Sequence, residues 1–490
     1  MRIVMIAGAL AVALTLSVPA GADSLVLTYH GAPDRSGMYV MPGLTYERAR
    51  GLRPDLAFNA EYQGDVYAQP LMWRDPKTGA GELIVATEEN HVYAFDEKTG
   101  AQKWMRTLGE PAKLEAGFRC GDIWPLGVTG TPVIDEARAT VYLDAMVMRD
   151  GRPRHLVFAL SLADGAVEPG WPVDVAAALG ESFDPMTHNQ RGALAVFAGR
   201  VYIPYGGLAG DCGVYHGTVV GLLTSEPGKV VRFSTRARSG GIWAPGGVVS
   251  DGKSLFVATG NTSFVKVWGD GEAVLRLGPD LAPPLATRDY FAPSNWKDLD
   301  DHDLDLGGTT PIPLDVPSAK GLRKLILIVG KDGDAYLVDR DNLGGIGGEV
   351  LKAHVARGAL TTPAAWSAGD GVLVALIAEG ANCPPGALGK GLLVLKVRAE
   401  PQPAIDTVWC NKVGSVGGAP IVTTTDGRSD PIVFALGSHG DNRLYPYRGD
   451  TGELLALPQP VAGTTKFQTL IAADGRLYVT GGGKVHAFTF

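Results

Sequence analysis

Residues 82–104, ELIVATEENHVYAFDEKTGAQKW, contain a unit that constrains the fold more than any other feature of the chain. Ile84, Val85 and Ala86 read as a short apolar strand, residues 87–90 as a polar turn, and Val92, Tyr93, Ala94 and Phe95 as a second strand. The DEKTG run at 96–100 then makes a tight turn in which Gly100 is free to take positive φ. Lys103 and Trp104 open a third strand, with the indole available as a packing plug. Two hairpins in about 25 residues make a sheet that cannot bury both faces alone, so it must stack on copies of itself.

The copies follow. The pattern returns at residues 140–165, 200–228, 254–277, 324–344, 371–397, 431–452 and 475–490, which makes eight units in all. Most are preceded by a small-residue opener: Ala68-Gln69-Pro70, Gly130-Thr131-Pro132, Thr309-Thr310-Pro311, Thr361-Thr362-Pro363 and Gly418-Ala419-Pro420. A spacing of roughly 40 to 65 residues suits one four-stranded blade per unit, so the expected fold is all-β, an eight-bladed β-propeller. An open sandwich explains the strands but not the repeated opener and turn. Residues 485–490 should be paired in a sheet, because an apolar strand left on an open edge invites aggregation.

Residues 1–22 read as a secretory signal peptide, with Arg2 as the positive region, an apolar run at 3–18 and Ala20-Gly21-Ala22 as the cleavage site. No cysteine stands near that site, and no other apolar run approaches about 18 residues. The expectation is an exported protein, periplasmic or secreted, with no membrane span. Residues 23–60 read as an N-terminal lead-in and 61–490 as the propeller. Gly 66 and Pro 33 supply the turns, and 45% hydrophobic residues can fill a large core. A net charge of −8 without a basic patch argues against nucleic acid as a partner.

Cys120, Cys212, Cys383 and Cys410 are the only cysteines, and an even count in an oxidising compartment favours two disulfides. Cys383 and Cys410, close in sequence, are expected to staple the sixth blade to the next, leaving Cys120 and Cys212 to join loops of different blades. No Cys-x-x-Cys-His occurs, so covalently attached haem is not expected.

The turn VYAFDEKTGAQKW resembles the tryptophan-docking repeat of the quinoprotein alcohol dehydrogenases. The resemblance implies an eight-bladed propeller holding pyrroloquinoline quinone (PQQ) and a metal ion, Ca²⁺ or a lanthanide, at one mouth of the channel. The segment GGIWAPGGVVSDGKSLFVATGN is similar to the family's floor segment, which makes Trp243 the floor under the quinone and Asn261 a metal ligand. In DDHDLDLGGTTPI, followed by RKLILIVGKDGDAYLVDRDN, Lys331 falls where the family places a basic residue against the quinone oxygens. The catalytic Asp is then Asp305 or Asp303. Matching Gly307-Gly308 favours Asp305, whereas counting back from Lys331 can favour Asp303. With Asp303 as base, Asp305 stands two residues on, where lanthanide-using members carry an extra carboxylate. With Asp305 as base, Gly307 stands there and Ca²⁺ is expected.

The sequence also departs from the family. Its third metal ligand is a Glu, and Asp211 is the nearest carboxylate here. The family has two adjacent cysteines above the quinone, but Cys120 is followed by Gly121, and the expectation is a mouth roofed instead by a Cys120–Cys212 bridge. Two functions therefore compete. One is a PQQ-dependent dehydrogenase of a small alcohol that passes electrons to a separate acceptor. The other is a non-catalytic propeller that binds a protein or small ligand through its loops.

Overall fold

The computed structural model describes residues 25–389, 391–414 and 418–490. The signal-peptide reading of residues 1–22 lies outside the described residues. Eight four- or five-stranded sheets make up the fold, and each is the predicted meander. In the first blade, Leu71–Arg74, Gly81–Ala86, His91–Asp96 and Gln102–Thr107 pair antiparallel in chain order. The turn at 96–100 forms as expected: Asp96 accepts the N–H groups of Lys98 and Thr99, and Gly100 has φ 77°.

Alternate side chains of each sheet face its two neighbours, so the hydrophobic clusters lie between blades. One joins Leu71, Ile84 and Val92 of the first blade to Leu143, Phe158 and Leu160 of the second. Another joins Leu327, Leu337 and Val374 across the fifth and sixth. The tryptophan plugs lock these interfaces. Trp104 Nε1 donates to Leu162 O at 2.9 Å and its ring lies against Gly165 of the second blade, where a Cβ would approach to 2.6 Å. Trp409 of the sixth blade repeats this on Gly449 and Gly452 of the seventh. The small-residue openers lead into the first strands of their blades, where neighbouring blades crowd together. Thr310 and Thr362 hydroxyls lie 2.8 Å apart across two blades, and Thr131 Oγ1 accepts Gln69 N–H from a third.

The lead-in closes the ring. Met38–Val40 pairs parallel with Ile421–Thr424 of the seventh blade, while Arg53–Pro54 and Ala60–Glu61 pair with Lys484–Thr489 of the eighth. The terminal strand is thus held between Arg476–Gly481 and the lead-in. Residues 26–37 cross the base of the channel: Leu27 O accepts Ile134 N–H, Pro33 O accepts Ser250 N–H, Ser36 O accepts Ala365 N–H and Gly37 O accepts Val422 N–H. Arg35, fully buried, is the hub of this plug. It donates to the carbonyls of Tyr29, Leu194, Gly246 and Val248 and to Thr28 Oγ1.

Both disulfides form, Cys120–Cys212 and Cys383–Cys410. The second differs from expectation. Cys383 sits in the loop between Gly371–Glu379 and Leu392–Arg398, and Cys410 in Ala404–Asn411 of the same sheet. It therefore closes a loop within the sixth blade, because the connection between the second and third strands reaches over the blade's own outer strand. Among the described residues, no helix is long and apolar enough to cross a membrane.

Glu88, in the turn between the second and third strands of the first blade, is buried and accepts Gly127 N–H at 2.7 Å. Burial pushes its carboxyl from the ordinary 4.5 up to about 7. Between those values the folded state keeps a proton that the unfolded state has lost, so stability falls as pH rises through this window and then levels off. The displacement corresponds to roughly 3 kcal/mol. Glu88→Gln is expected to match wild type near pH 4 and to exceed it by up to about 3 kcal/mol at pH 8 in urea unfolding. A wild-type protein with no decline between pH 5 and 8 would contradict this.

Candidate functional site

At the end of the channel away from the plug lies an open cleft. The inner strands fix its position: the third blade runs from Asn189 at the cleft to Leu194 at Arg35, and the fourth from Trp243 to Gly246 and Val248. Trp243, Asn261, Asp303, Asp305, Lys331 and Asp211 all line it. Trp243 precedes the fourth blade, and Asn261 follows its strand Leu255–Thr259. Asp303 and Asp305 follow the helix Trp296–His302, and Lys331 follows the strand Gly321–Val329 of the fifth blade.

The contacts among these residues are close. Asp305 Oδ1 accepts Asn261 N–H at 2.6 Å, and its other oxygen is ion-paired with Lys331 Nζ. The backbone repeats the link, with Lys331 N–H donating to Asp305 O at 3.0 Å. Lys331 Nζ also reaches Asp303 Oδ1 at 2.9 Å and stands 5.4 Å from the Trp243 ring centroid. The two aspartates differ in setting. The Asp303 side chain is 69% exposed on a left-handed residue, whereas that of Asp305 is 4% exposed. Burial raises the Asp305 carboxyl above the usual range, against the pull of Lys331. Burial pulls the Lys331 ammonium down, but Asp305 and Asp303 more than offset it and leave it raised.

Glu272, which the sequence reading missed, lies behind Asp305. It is fully buried, one oxygen accepts Leu306 N–H at 2.5 Å, and the other has no partner among the described residues. Burial first, then the charge of Asp305, raises its carboxyl well above the ordinary value. No spacing in the sequence marks it, because it opens a strand of the fourth blade 33 residues before Asp305. Arg191 was missed for the same reason. It lines the cleft from the third blade, with its guanidinium 5.8 Å from the Trp243 centroid and 4.8 Å from that of Phe467.

Comparison with solved structures finds this architecture in the quinohemoprotein alcohol dehydrogenase of Comamonas testosteroni, at 18% identity and TM-score 0.67 over 95% of this chain and 80% of that one. The fold is that of the quinoprotein dehydrogenase propellers. A europium-containing methanol dehydrogenase matches over 96% of this chain and 99% of its own, at 13% identity and TM-score 0.66. BamB from Moraxella catarrhalis matches over 90% and 100%, at 13% identity and TM-score 0.52. No family model and no curated protein matches the chain.

The remaining candidates lie around the same cleft. Asp211 accepts the Tyr215 hydroxyl at 2.5 Å, and both residues line the wall. Cys120 is not among the lining residues; its bond to Cys212 ties the 117–121 loop to the cleft-lining run from Leu208 to Asp211. Among the described residues, no three of His, Cys, Asp and Glu are grouped to hold a metal ion. Among the oxygen groups at the cleft are the carboxylates of Asp211 and Asp305 and the carboxamide of Asn261, groups that suit a hard cation in kind. Gly207, Gly210 and Gly241 line the cleft without side chains, the last of them beside the indole. A Cβ on Gly260 would come within 2.4 Å of Asp305 Oδ1 and 3.0 Å of Trp243 Nε1. An indole beside glycine backbone, with Lys331 and Arg191 near its ring, suits in kind a planar, anionic ring system.

Proposed function

We propose that this chain is a PQQ- and metal-dependent dehydrogenase of a small alcohol. The observation that carries the reading is the convergence of Trp243, Asn261, Asp305 and Lys331 on one cleft from segments up to 88 residues apart. Trp243 would form the floor under the quinone, and Asn261, Asp305 and Asp211 would hold the cation. When bound, the quinone would accept the hydride equivalent from the alcohol carbon, and the cation would act as a Lewis acid.

The chain's own residues do the rest. Asp305 takes the hydroxyl proton of the alcohol, and its raised carboxyl makes it a stronger base than an exposed aspartate. Lys331 keeps Asp305 ionised and holds a positive charge over the indole, where an anionic oxygen of the ligand is stabilised. Burial and the charge of Asp305 raise the Glu272 carboxyl well above its ordinary value, which disfavours a second charge beside the base. With Asp305 as base, position 307 has no room for a carboxylate, since a Cβ there would lie 2.5 Å from the Thr259 backbone. That favours Ca²⁺ over a lanthanide. In this reading the electrons pass to a separate acceptor. Pairing of all four cysteines supports an exported, periplasmic or secreted protein.

A second reading, a non-catalytic propeller, draws on two observations. Both oxygens of Asp305 already have partners, and the Asp211 carboxylate is shared with Tyr215. Titration of the apo-protein with PQQ in the presence of Ca²⁺ or La³⁺ separates the two. Wild type is expected to bind PQQ with Ca²⁺ and to quench tryptophan fluorescence, and Trp243→Ala to bind about tenfold more weakly. If wild type binds no quinone with either ion, the redox reading fails and the scaffold reading stands.

A further inference from the structure

Behind the third-blade wall of the cleft lies a buried polar cluster that the proposed chemistry does not use. Asp144 of Thr140–Arg149 and His155 of Arg152–Ser161 stand on the second and third strands of the second blade. His155 Nδ1 lies 2.6 Å from Asp144 Oδ1, and its Nε2 lies 3.1 Å from the carbonyl oxygen of His188. The Tyr205 hydroxyl of the third blade donates to the other Asp144 oxygen at 2.8 Å. The Phe183 ring packs on His155, His188 and Tyr205, and all five residues are at most 3% exposed. His188 opens the strand His188–Asn189, which pairs with Gly206 and Gly207. Asn189, Arg191 and Gly207 line the cleft, so this carbonyl belongs to the run that forms its wall.

The geometry fixes how many protons the ring carries. A backbone carbonyl cannot donate, so Nε2 holds one. The contact between Nδ1 and Asp144 needs a second, and the Tyr205 hydroxyl on the other carboxylate oxygen favours the ionised carboxylate, which leaves both protons on the ring. Burial pulls this imidazolium down, but Asp144 and then the His188 carbonyl outweigh it and leave it above its ordinary value. The neighbouring groups hold fixed states. Burial draws His188 down to about 4, and its Nδ1 donates to Asp184 O. Burial and Asp144 raise the Tyr205 hydroxyl well above its ordinary value. Asp174 adds a smaller pull on His155 and stands 3.8 Å from Arg154.

We propose that His155 is a positioning residue for the cleft: a doubly protonated ring that ties Asp144 to the third-blade wall and releases that wall when it loses a proton. A neutral ring has one N–H, and the carboxylate is the stronger acceptor, so the remaining proton stays on Nδ1. The His188 carbonyl then faces an unprotonated Nε2, and the run from His188 to Arg191 loses its buried anchor. The clamp is present at neutral pH and is lost as pH rises through the raised His155 value. Binding in the cleft thereby acquires an alkaline limit set from outside it. The clamp does not depend on the redox reading; only its effect on a bound quinone rests on that reading.

The test uses the purified protein as wild type, His155→Gln and Asp144→Asn. In protein carrying ¹⁵N-labelled histidine, the ring N–H signals lost in His155→Gln are those of His155. Two are expected at about pH 7, where an ordinary histidine is mostly neutral, and one at higher pH. Amide exchange of residues 184–194, read by mass spectrometry against residues 91–107 of the first blade as internal reference, reports on the wall. His155→Gln is expected to speed it by about 10- to 100-fold, and wild type to show the same change as the second ring proton leaves. Asp144→Asn is expected to move that change down by about one pH unit or more, which a merely structural contact would not do. PQQ with Ca²⁺ is expected to bind wild type about tenfold more weakly above that pH. One His155 ring N–H at about pH 7, or exchange in His155→Gln within about twofold of wild type, overturns the clamp and leaves the redox reading intact. If wild type binds no quinone while the exchange changes as expected, the redox reading falls and the clamp stands. Should the variants not fold, wild type decides: an exchange ratio to the reference that stays constant from about pH 6 to about pH 10 overturns the clamp.

Discussion

Asp305→Asn is expected to lower PQQ- and Ca²⁺-dependent alcohol oxidation by about 10²- to 10⁴-fold, the usual worth of a positioned general base. The amide still accepts Asn261 N–H but cannot take the hydroxyl proton, and it leaves Lys331 with Asp303 as its remaining carboxylate partner. Asp303→Asn is the control, because that side chain is 69% exposed at the rim. It is expected to change the rate by no more than about twofold, as surface substitutions do. Dye-linked turnover of the reconstituted protein measures both. Equal losses in the two variants, or a larger loss in Asp303→Asn, would move the base to Asp303 and with it the case for a lanthanide.

Arg35→Met is expected to destabilise the propeller by about 4 kcal/mol or more, and urea unfolding measures it. Arg35 is fully buried, with burial pulling its guanidinium to about 10, and its charge is met by oxygens of the plug and of the third and fourth blades. Methionine fills similar space but leaves the carbonyls of Leu194, Gly246 and Val248 without these donors in a dry channel. The plug should loosen before the blades, since residues 26–37 reach across five of them mainly through backbone hydrogen bonds. A loss under about 1 kcal/mol would mean that the plug contributes little to holding the ring closed.

The sequence by itself determined the number of blades and their local chemistry. The strand and turn pattern repeats eight times, and period-2 burial and the turn at 96–100 depend on residues adjacent in the chain. The tryptophan plug at Trp104 and the pairing of the cysteines were legible for the same kind of reason, the first from the repeat and the second from an even count. Asn261 and Lys331 were legible because each follows the second strand of its repeat, and Trp243 because its segment resembles the family's floor segment.

Tertiary structure decided what depends on distance across the axis. Asp303 and Asp305 both line the cleft, and which of them is buried there turned on the left-handed residue 303 that ends the helix Trp296–His302 and leaves its side chain exposed, a two-residue difference that spacing alone left open. Arg191 reaches the cleft from the third blade and Glu272 lies behind Asp305 from the fourth, and their sequence neighbours look like ordinary blade residues. The lead-in read only as a preface to the propeller, yet it supplies the closing strands and seals the channel with Arg35. A buried charge on the axis is stabilised by carbonyls from distant blades, and those carbonyls have no signature in a sequence because every residue carries one.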